Sequence, residues 1–328
     1  SSNGTKLRLL TIEYDISDDK PEETEVIHLE PSSEKTVSKL VQIRFSDLGQ
    51  VNSDKIAEFS GGNARVAISL VNRVEADETL ANFSDQDLFQ RLFSQRKEAN
   101  ASLLESAEVL SLVYSFNISP NEFNNELEAL GRVSGIDRRT PHKNHAELLR
   151  RQLAQKRGDW RAILPHALAN RLARRALENL EIPEINAELF KAENLRLFKS
   201  CAHRIGYLHD STAAKELAES WIATRAPLHN VLACDEEQLT CFNYIAPIFP
   251  DTVLLALEEA TKQPDFASRL NPNFSTLAKV LCHLAYEDKH FDRSLSLLIK
   301  FSETENNAEN NDSIAERIKI LFSLYLSG

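Results

Sequence analysis

The stretch Ser60-Gly61-Gly62-Asn63-Ala64-Arg65 holds the residue types that come nearest to ligand chemistry in this sequence. Its glycine pair lets the chain turn sharply, and Arg65 opens the helix that follows. A guanidinium at a helix N-terminus, with free backbone N–H groups and the positive dipole end beside it, suits a polyphosphate. The same residues also make a plain tight turn between two helices. A second position is His166, just after LAQKRGDWRAIL at 153–164 and Pro165. By itself it reads as a surface residue on a helix opened by Pro165, whose missing N–H does no harm in a first turn.

Other constellations carry less. Cys201-x-His203 with His209, and the pair Cys282-His283, lack the C-x2-C or H-x3-5-H spacing of a structural zinc site, so Cys201 and Cys282 read as small core residues. His209-Asp210-Ser211 has the composition of a hydrolase triad. Consecutive residues cannot line up as nucleophile, base and orienter, and a helix cap is the better account. No phosphate-cradling G-x-x-x-x-G-K-[ST] occurs, since Gly4-Thr5-Lys6 lacks both the upstream Gly and the following Ser/Thr. No apolar run ends in paired acids ahead of these helices. The chain alone is therefore not expected to be a complete ATPase, and no catalytic residue and no metal ligand is assigned.

The elements that must position Arg65 and His166 follow from periodicity. LRLLTIEYDI at 7–16 reads as a strand, and VIHLEP as a second apolar run. Val37, Leu40 and Val41 at i, i+3, i+4 mark a Ser-capped helix, and NSDKIAEFSGGNARVAISLVNRV reads as helix, Gly-Gly break, helix. DQDLFQRLF, SLLESAEVLSLVYSF and PNEFNNELEALG continue as helices. RVSGIDRRTPHKNH at 132–145 reads as a basic, polar loop before the helix AELLRRQ and a hairpin turning at Gly158-Asp159. Helices followed by a hairpin give the order of a winged helix. Beyond Pro165 the chain reads as helical, with LAYEDKHFDRSLSLLIKF resembling a stacked helix pair, SETENNAENND at 302–312 as a polar tip, and IAERIKILFSLYL closing the chain.

Composition narrows the class further. With 42% hydrophobic and 27% charged residues in 328, the chain belongs with globular domains, and its length suits two or three of them. It contains no Met, a bias that, with the start at Ser-Ser-Asn-Gly, reads as part of a longer protein. The net charge of −11 is unevenly spread: twelve Lys and Arg stand against three acids from Arg132 to Arg175, a local +9 that leaves −20 elsewhere. Four scattered cysteines and the lack of a membrane-length apolar run suggest free thiols in the cytoplasm and no membrane partner.

The stretch LEPSSEKTVSKLVQIRFSDL…IAEFSGGNARVAISLVNRV is similar to the helical lid of AAA+-like ATPases, and Arg65 matches its phosphate-sensing arginine. Lid, winged helix and helical array in that order resemble the middle and sensor regions of signal-transducing NTPases of the STAND class, most similar to bacterial antiviral Avs-type proteins. The resemblance implies a mainly α chain: the end of an NTPase sheet plus an AAA+-like lid at 1–78, a winged-helix domain at 79–180 and a repeat-like α-helical array at 181–328. It implies nucleotide contacts from Gly61, Gly62, Asn63, Arg65 and His166. His166 stands where the family carries a histidine that reaches the β-phosphate of ADP, although the family's Met-His-Asp is here Pro165-His166-Ala167. Also implied are ATP or ADP with Mg in the intact protein, an upstream NTPase core and effector, a protein ligand sensed by the array, and self-association in the active state. The competing reading is an ATP-dependent transcription regulator whose basic winged helix docks on DNA through Arg150 and Arg151.

Overall fold

A computed structural model of the chain describes residues 32–74, 79–93, 101–118, 126–135, 139–270 and 274–304, with positions 315, 318 and 319. The strand expected at 7–16, the run VIHLEP and most of the final helix fall outside the described residues. What is described is mainly α-helical, with one small three-stranded sheet.

Three helices open the fold. Helix α1 (Glu34–Arg44) starts at Ser33, whose hydroxyl accepts from the Thr36 N–H at 3.2 Å, and buries Val37 and Val41 against α2 (Gln50–Ser60). Helix α2 ends at Gly61 in the left-handed conformation (φ 55°), and Gly62 follows at φ 79°. Two successive positive φ values explain why both positions are glycine. Helix α3 (Ala64–Val71) then folds back and seats Val66, Ala67, Leu70 and Val71 in the core. Asn52 accepts from the Leu80 N–H at 2.8 Å, tying the outgoing chain to α2 before α4 (Asp85–Phe93).

Helix α5 (Ala101–Ser111), strand β1 (Phe116–Asn117), α6 (Glu126–Val133), α7 (Arg139–Arg150) and the hairpin β2 (Ala154–Arg157) and β3 (Trp160–Ile163) follow. The sheet order is β1-β3-β2, all antiparallel, with Phe116 opposite Arg161 and Ala154 opposite Ile163. Helix–strand–helix–helix–hairpin with the first strand beside the last is the winged-helix topology. Gly158 at φ 56° makes the tight wing turn that the Gly-Asp pair implied.

Two sequence expectations change here. The helix expected through Phe116 stops at Ser111, because Phe116 is taken by the sheet. The basic loop expected at 132–145 is in part helix: α7 begins at Arg139 and holds Pro141 in its first turn, where no N–H is needed.

Helices α8 (His166–Asn179), α9 (Ile182–Leu189), α10 (Leu195–Ile205), α11 (Thr212–Ile222), α12 (Glu236–Ile245), α13 (Pro250–Ala260), α14 (Phe266–Leu270), α15 (Phe274–Leu284) and α16 (Asp288–Thr304) complete the fold. Residues 302–304 of the expected polar tip are the end of α16, and the rest of that tip lies outside the described residues. Helix α10 packs on α12 and α15 on α16. Gly206 marks the closest approach: a Cβ there would stand 2.3 Å from the Tyr244 carbonyl oxygen, so only glycine lets α10 and α12 meet. Trp221 is wholly buried, its indole N–H donating to Asn186 Oδ1 at 2.8 Å. The buried apolar residues from Val37 to Phe301 form one continuous core. Among the described residues no helix is long and apolar enough to cross a membrane.

Candidate functional site

The Gly61–Arg65 turn is held by its own backbone. The Gly61 N–H donates to Glu58 O at 3.1 Å, Asn63 N–H to Ser60 O at 3.0 Å, and Ala67 N–H to Asn63 O at 3.1 Å. Asn63 caps α3, its Oδ1 accepting from the Arg65 N–H at 3.0 Å and the Val66 N–H at 3.2 Å. The Gly62 carbonyl accepts from the Ser32 N–H at 3.2 Å. Of the N–H groups expected to be free beside Arg65, those of Arg65 and Val66 are therefore already bonded, a correction that follows from Asn63 being a strong cap. Two of the backbone donors that a phosphate cradle would use are thus taken up by the cap. The Arg65 side chain is half-buried.

His166 is the first residue of α8 and sits neither loose on the surface nor in isolation. Its ring stacks on Tyr114 with centroids 4.5 Å apart and planes at 17°. On Tyr114 also stacks His203 of α10, at 4.1 Å and 22°, and on His203 stacks Tyr244 of α12, at 4.2 Å and 14°. One column of four rings thus runs from the winged helix into the array. Beside it, the Arg204 guanidinium lies 5.3 Å from the Tyr114 centroid and is wholly buried. Arg204 Nη1 donates to Asn170 Oδ1 at 2.5 Å, while among the described residues Nε and Nη2 have no hydrogen-bond partner. Burial lowers its pKa to about 10, so it remains a cation at neutral pH. A cation over a ring face is attracted by the ring quadrupole, and desolvation strengthens that attraction.

Helix α8 reaches every unit around it. Asn170 meets Arg204, and Arg171 Nη1 donates to Phe59 O of α2 at 3.4 Å, with its guanidinium 5.2 Å from the Phe59 ring centroid. Arg174 pairs with Asp210 at 2.5 Å, and Arg175 with Glu108 of α5 at 2.7 Å and Gln86 of α4 at 2.7 Å. Desolvation holds the Glu108 carboxyl above its usual range, against the pull of Arg175.

The winged helix and α10 are joined further by Ser115 and Ser200, which exchange bonds of 2.9 Å and 2.6 Å, and by the Tyr114 N–H donating to Ser200 O at 3.0 Å. Arg196 forms a bidentate pair with Glu126 and covers the Trp160 ring at 4.7 Å. Toward α3 the joins differ: Ser69 Oγ donates to Arg151 O at a long 3.4 Å, and Arg73 lies near Arg151. Burial first, and then Arg151, depresses the Arg73 pKa.

The remaining candidates resolve as follows. Among the described residues Cys201, Cys234, Cys241 and Cys282 form no disulfide. Burial raises the pKa of Cys201 far above the thiol range, that of Cys241 to about 12 and that of Cys234 to about 11, which makes them poor nucleophiles. Ser211 caps α11, accepting from the Ala214 N–H at 3.3 Å, while Asp210 faces Arg174, so 209–211 is a helix start. Of the cation pair proposed for a groove, Arg151 is buried: its Nε holds Glu147 at 2.7 Å and its Nη1 donates to Phe93 O at 3.1 Å. Sequence reasoning weighed His203 only as a weak metal candidate and gave Tyr114, Tyr244 and Arg204 no functional part. In comparisons with protein-family models, curated proteins and solved structures, nothing matches this chain.

Proposed function

We propose that this chain is the regulatory and ligand-sensing part of a STAND-type NTPase, in which nucleotide state controls self-association and the switching of an effector, in bacterial antiviral defence. The observation that carries the reading is α8: it starts at His166 directly after the wing and touches α2, α5 and the array at once. A sensor residue at the head of such a helix is mechanically connected to everything that must move. Arg65 would meet the nucleotide phosphates through its guanidinium, and His166 would report on the same ligand. ATP or ADP with Mg supplies the charge that these side chains read, held by phosphate-loop and acidic residues expected upstream. Ligand binding on the array would act through Tyr244 and His203 on Tyr114 and so on His166.

The test uses the intact polypeptide. Arg65→Ala is expected to lower nucleotide affinity by roughly 10- to 100-fold, the loss of a charge-assisted contact of about 1.5–3 kcal/mol. Unchanged binding and turnover overturn the assignment. Tyr114→Ala is expected to keep nucleotide binding and lose ligand-triggered self-association. For the 328-residue chain by itself, calorimetry is expected to show no tight ATP binding; micromolar affinity with turnover overturns the reading as a regulatory part.

A further inference from the structure

We infer that the outer face of α7, with the adjoining wing, is a binding surface for double-stranded DNA. The inner face of α7 is settled: Pro141, Asn144, His145 and Leu148 are buried, and Asn144 Nδ2 donates to Ser102 O at 2.8 Å and Ser106 Oγ at 2.9 Å. Arg139, Lys143, Ala146 and Arg150 are exposed. At about 100° per residue these four fall within an arc of about 60° centred opposite the packed face. Three cations and one small residue therefore form a single stripe about 16 Å long, at 1.5 Å per residue. His142 is exposed at the edge of the stripe. Helix α7 is the second helix of the helix–helix–hairpin unit, the place from which a recognition helix enters a major groove. Ala146 at mid-stripe keeps the helix slim enough to approach base edges, where a methyl contact is available.

The wing extends the surface. Lys156 and Arg157 are exposed at the end of β2, within reach of phosphates flanking a groove occupied by α7. Two acids lie nearby. Asp159 is exposed at the wing tip, and Glu147 is engaged by Arg151 at 2.7 Å and Arg150 at 3.0 Å. Arg151, which the sequence alone would have placed on this surface, serves instead to neutralise Glu147. Of the twelve cations from Arg132 to Arg175, Arg139, Lys143, Arg150, Lys156 and Arg157 are exposed on α7 and the wing, in a chain whose net charge is −11, so a polyanion is drawn to this face. A B-form major groove admits a helix, whereas the A-form groove of RNA does not, which selects DNA.

The test is fluorescence anisotropy of a labelled, mixed-sequence DNA duplex with the whole chain across a KCl series. Affinity is expected to fall with salt at a log–log slope of roughly −3 to −4, about 0.9 for each neutralised phosphate. Lys143→Glu with Lys156→Glu is expected to weaken binding at least ~10-fold, and Ala146→Glu, which adds bulk and charge at mid-stripe, to do the same. Lys215→Glu, an exposed change on α11, is expected to leave binding within about twofold. Circular dichroism checks that each variant is folded. No salt-dependent binding overturns the proposal. So does equal binding of duplex RNA or of polyglutamate competing as well as DNA, the latter pointing to an acidic protein partner, and so does a Lys215→Glu loss as large as that of the α7 variants. The inference stands apart from the NTPase reading: nucleotide effects of Arg65→Ala and duplex binding can each fail without the other.

Discussion

The winged helix meets its two neighbours on different terms. Toward the array it offers Glu126 to Arg196, Ser115 to Ser200 and Tyr114 to His203, all short or stacked contacts between complementary groups. Toward the first three helices it offers the Arg151 carbonyl to Ser69 at 3.4 Å, and Arg73 lies near both Arg151 and the Glu147 carboxylate that Arg151 holds. Arg171 adds a second long bond to Phe59 O. Both joins share the continuous apolar core, so polar chemistry makes the difference. Short complementary contacts fix a single arrangement, whereas long polar bonds over shared apolar cover hold an arrangement less tightly.

The contrast can be broken most severely at Gly206. Gly206→Val puts a side chain against the Tyr244 carbonyl, which backbone cannot yield, and is expected to cost about 3 kcal/mol in urea unfolding. It should also remove the His203–Tyr244 stack. A cost below about 0.5 kcal/mol would mean that α10 and α12 separate readily.

Acid is the next lever. His145 lies under β1, edge-on to Phe116 at 5.9 Å, and burial lowers its pKa to about 4, with Arg161 and His142 adding to the effect. The unfolded chain takes up that proton near 6.5 and the folded chain does not, so stability falls as pH drops from about 6.5 toward 4. The loss is roughly 2–3 kcal/mol, and His145→Phe should flatten this part of the stability–pH curve. Because β1 leads directly from Tyr114 and Ser115, hydrogen exchange at pH 5 should rise first at the array join. Protection lost first at Ser69 and Arg171 would reverse the comparison.

A matched pair of truncations sharpens it. Arg196→Ala leaves the buried Glu126 carboxylate without its bidentate partner and is expected to cost about 2 kcal/mol. Arg171→Ala removes one long bond and a partly exposed cation–π contact, at about 0.5–1 kcal/mol. Equal costs in chemical denaturation would erase the difference between the joins.

The smallest effect has the opposite sign. Arg204→Met replaces a buried cation, two of whose nitrogens lack partners, by an apolar chain of similar reach, and should raise stability by about 1 kcal/mol. Destabilisation beyond 1 kcal/mol would show that the Asn170 bond and the Tyr114 face repay the burial.

Local signals carried much of the fold. Ser33 and Asn63 cap as their types require, the Gly61-Gly62 pair takes the two positive φ values, and the Gly158-Asp159 turn closes the wing. The helix–helix–hairpin order was readable because each element has its own period and punctuation. Less of the site was legible. Arg65 and His166 were visible as residue types at element ends, but the bonding of the N–H groups beside Arg65 depends on how Asn63 turns inward, and a capping residue can serve a helix or a ligand.

What the sequence determined by itself is what neighbours in the chain decide: caps, turns, helical faces, and the excess of positive charge from Arg132 to Arg175. Only the tertiary structure decided what distant residues do to one another. Tyr114, His166, His203 and Tyr244 come from four separate places in the chain, so no local pattern could announce their stack. Arg150 and Arg151 are adjacent and chemically identical, yet one faces solvent and the other is buried against Glu147 and Phe93. A helix turns about 100° between consecutive residues, and which side is covered depends on the helices packed against it.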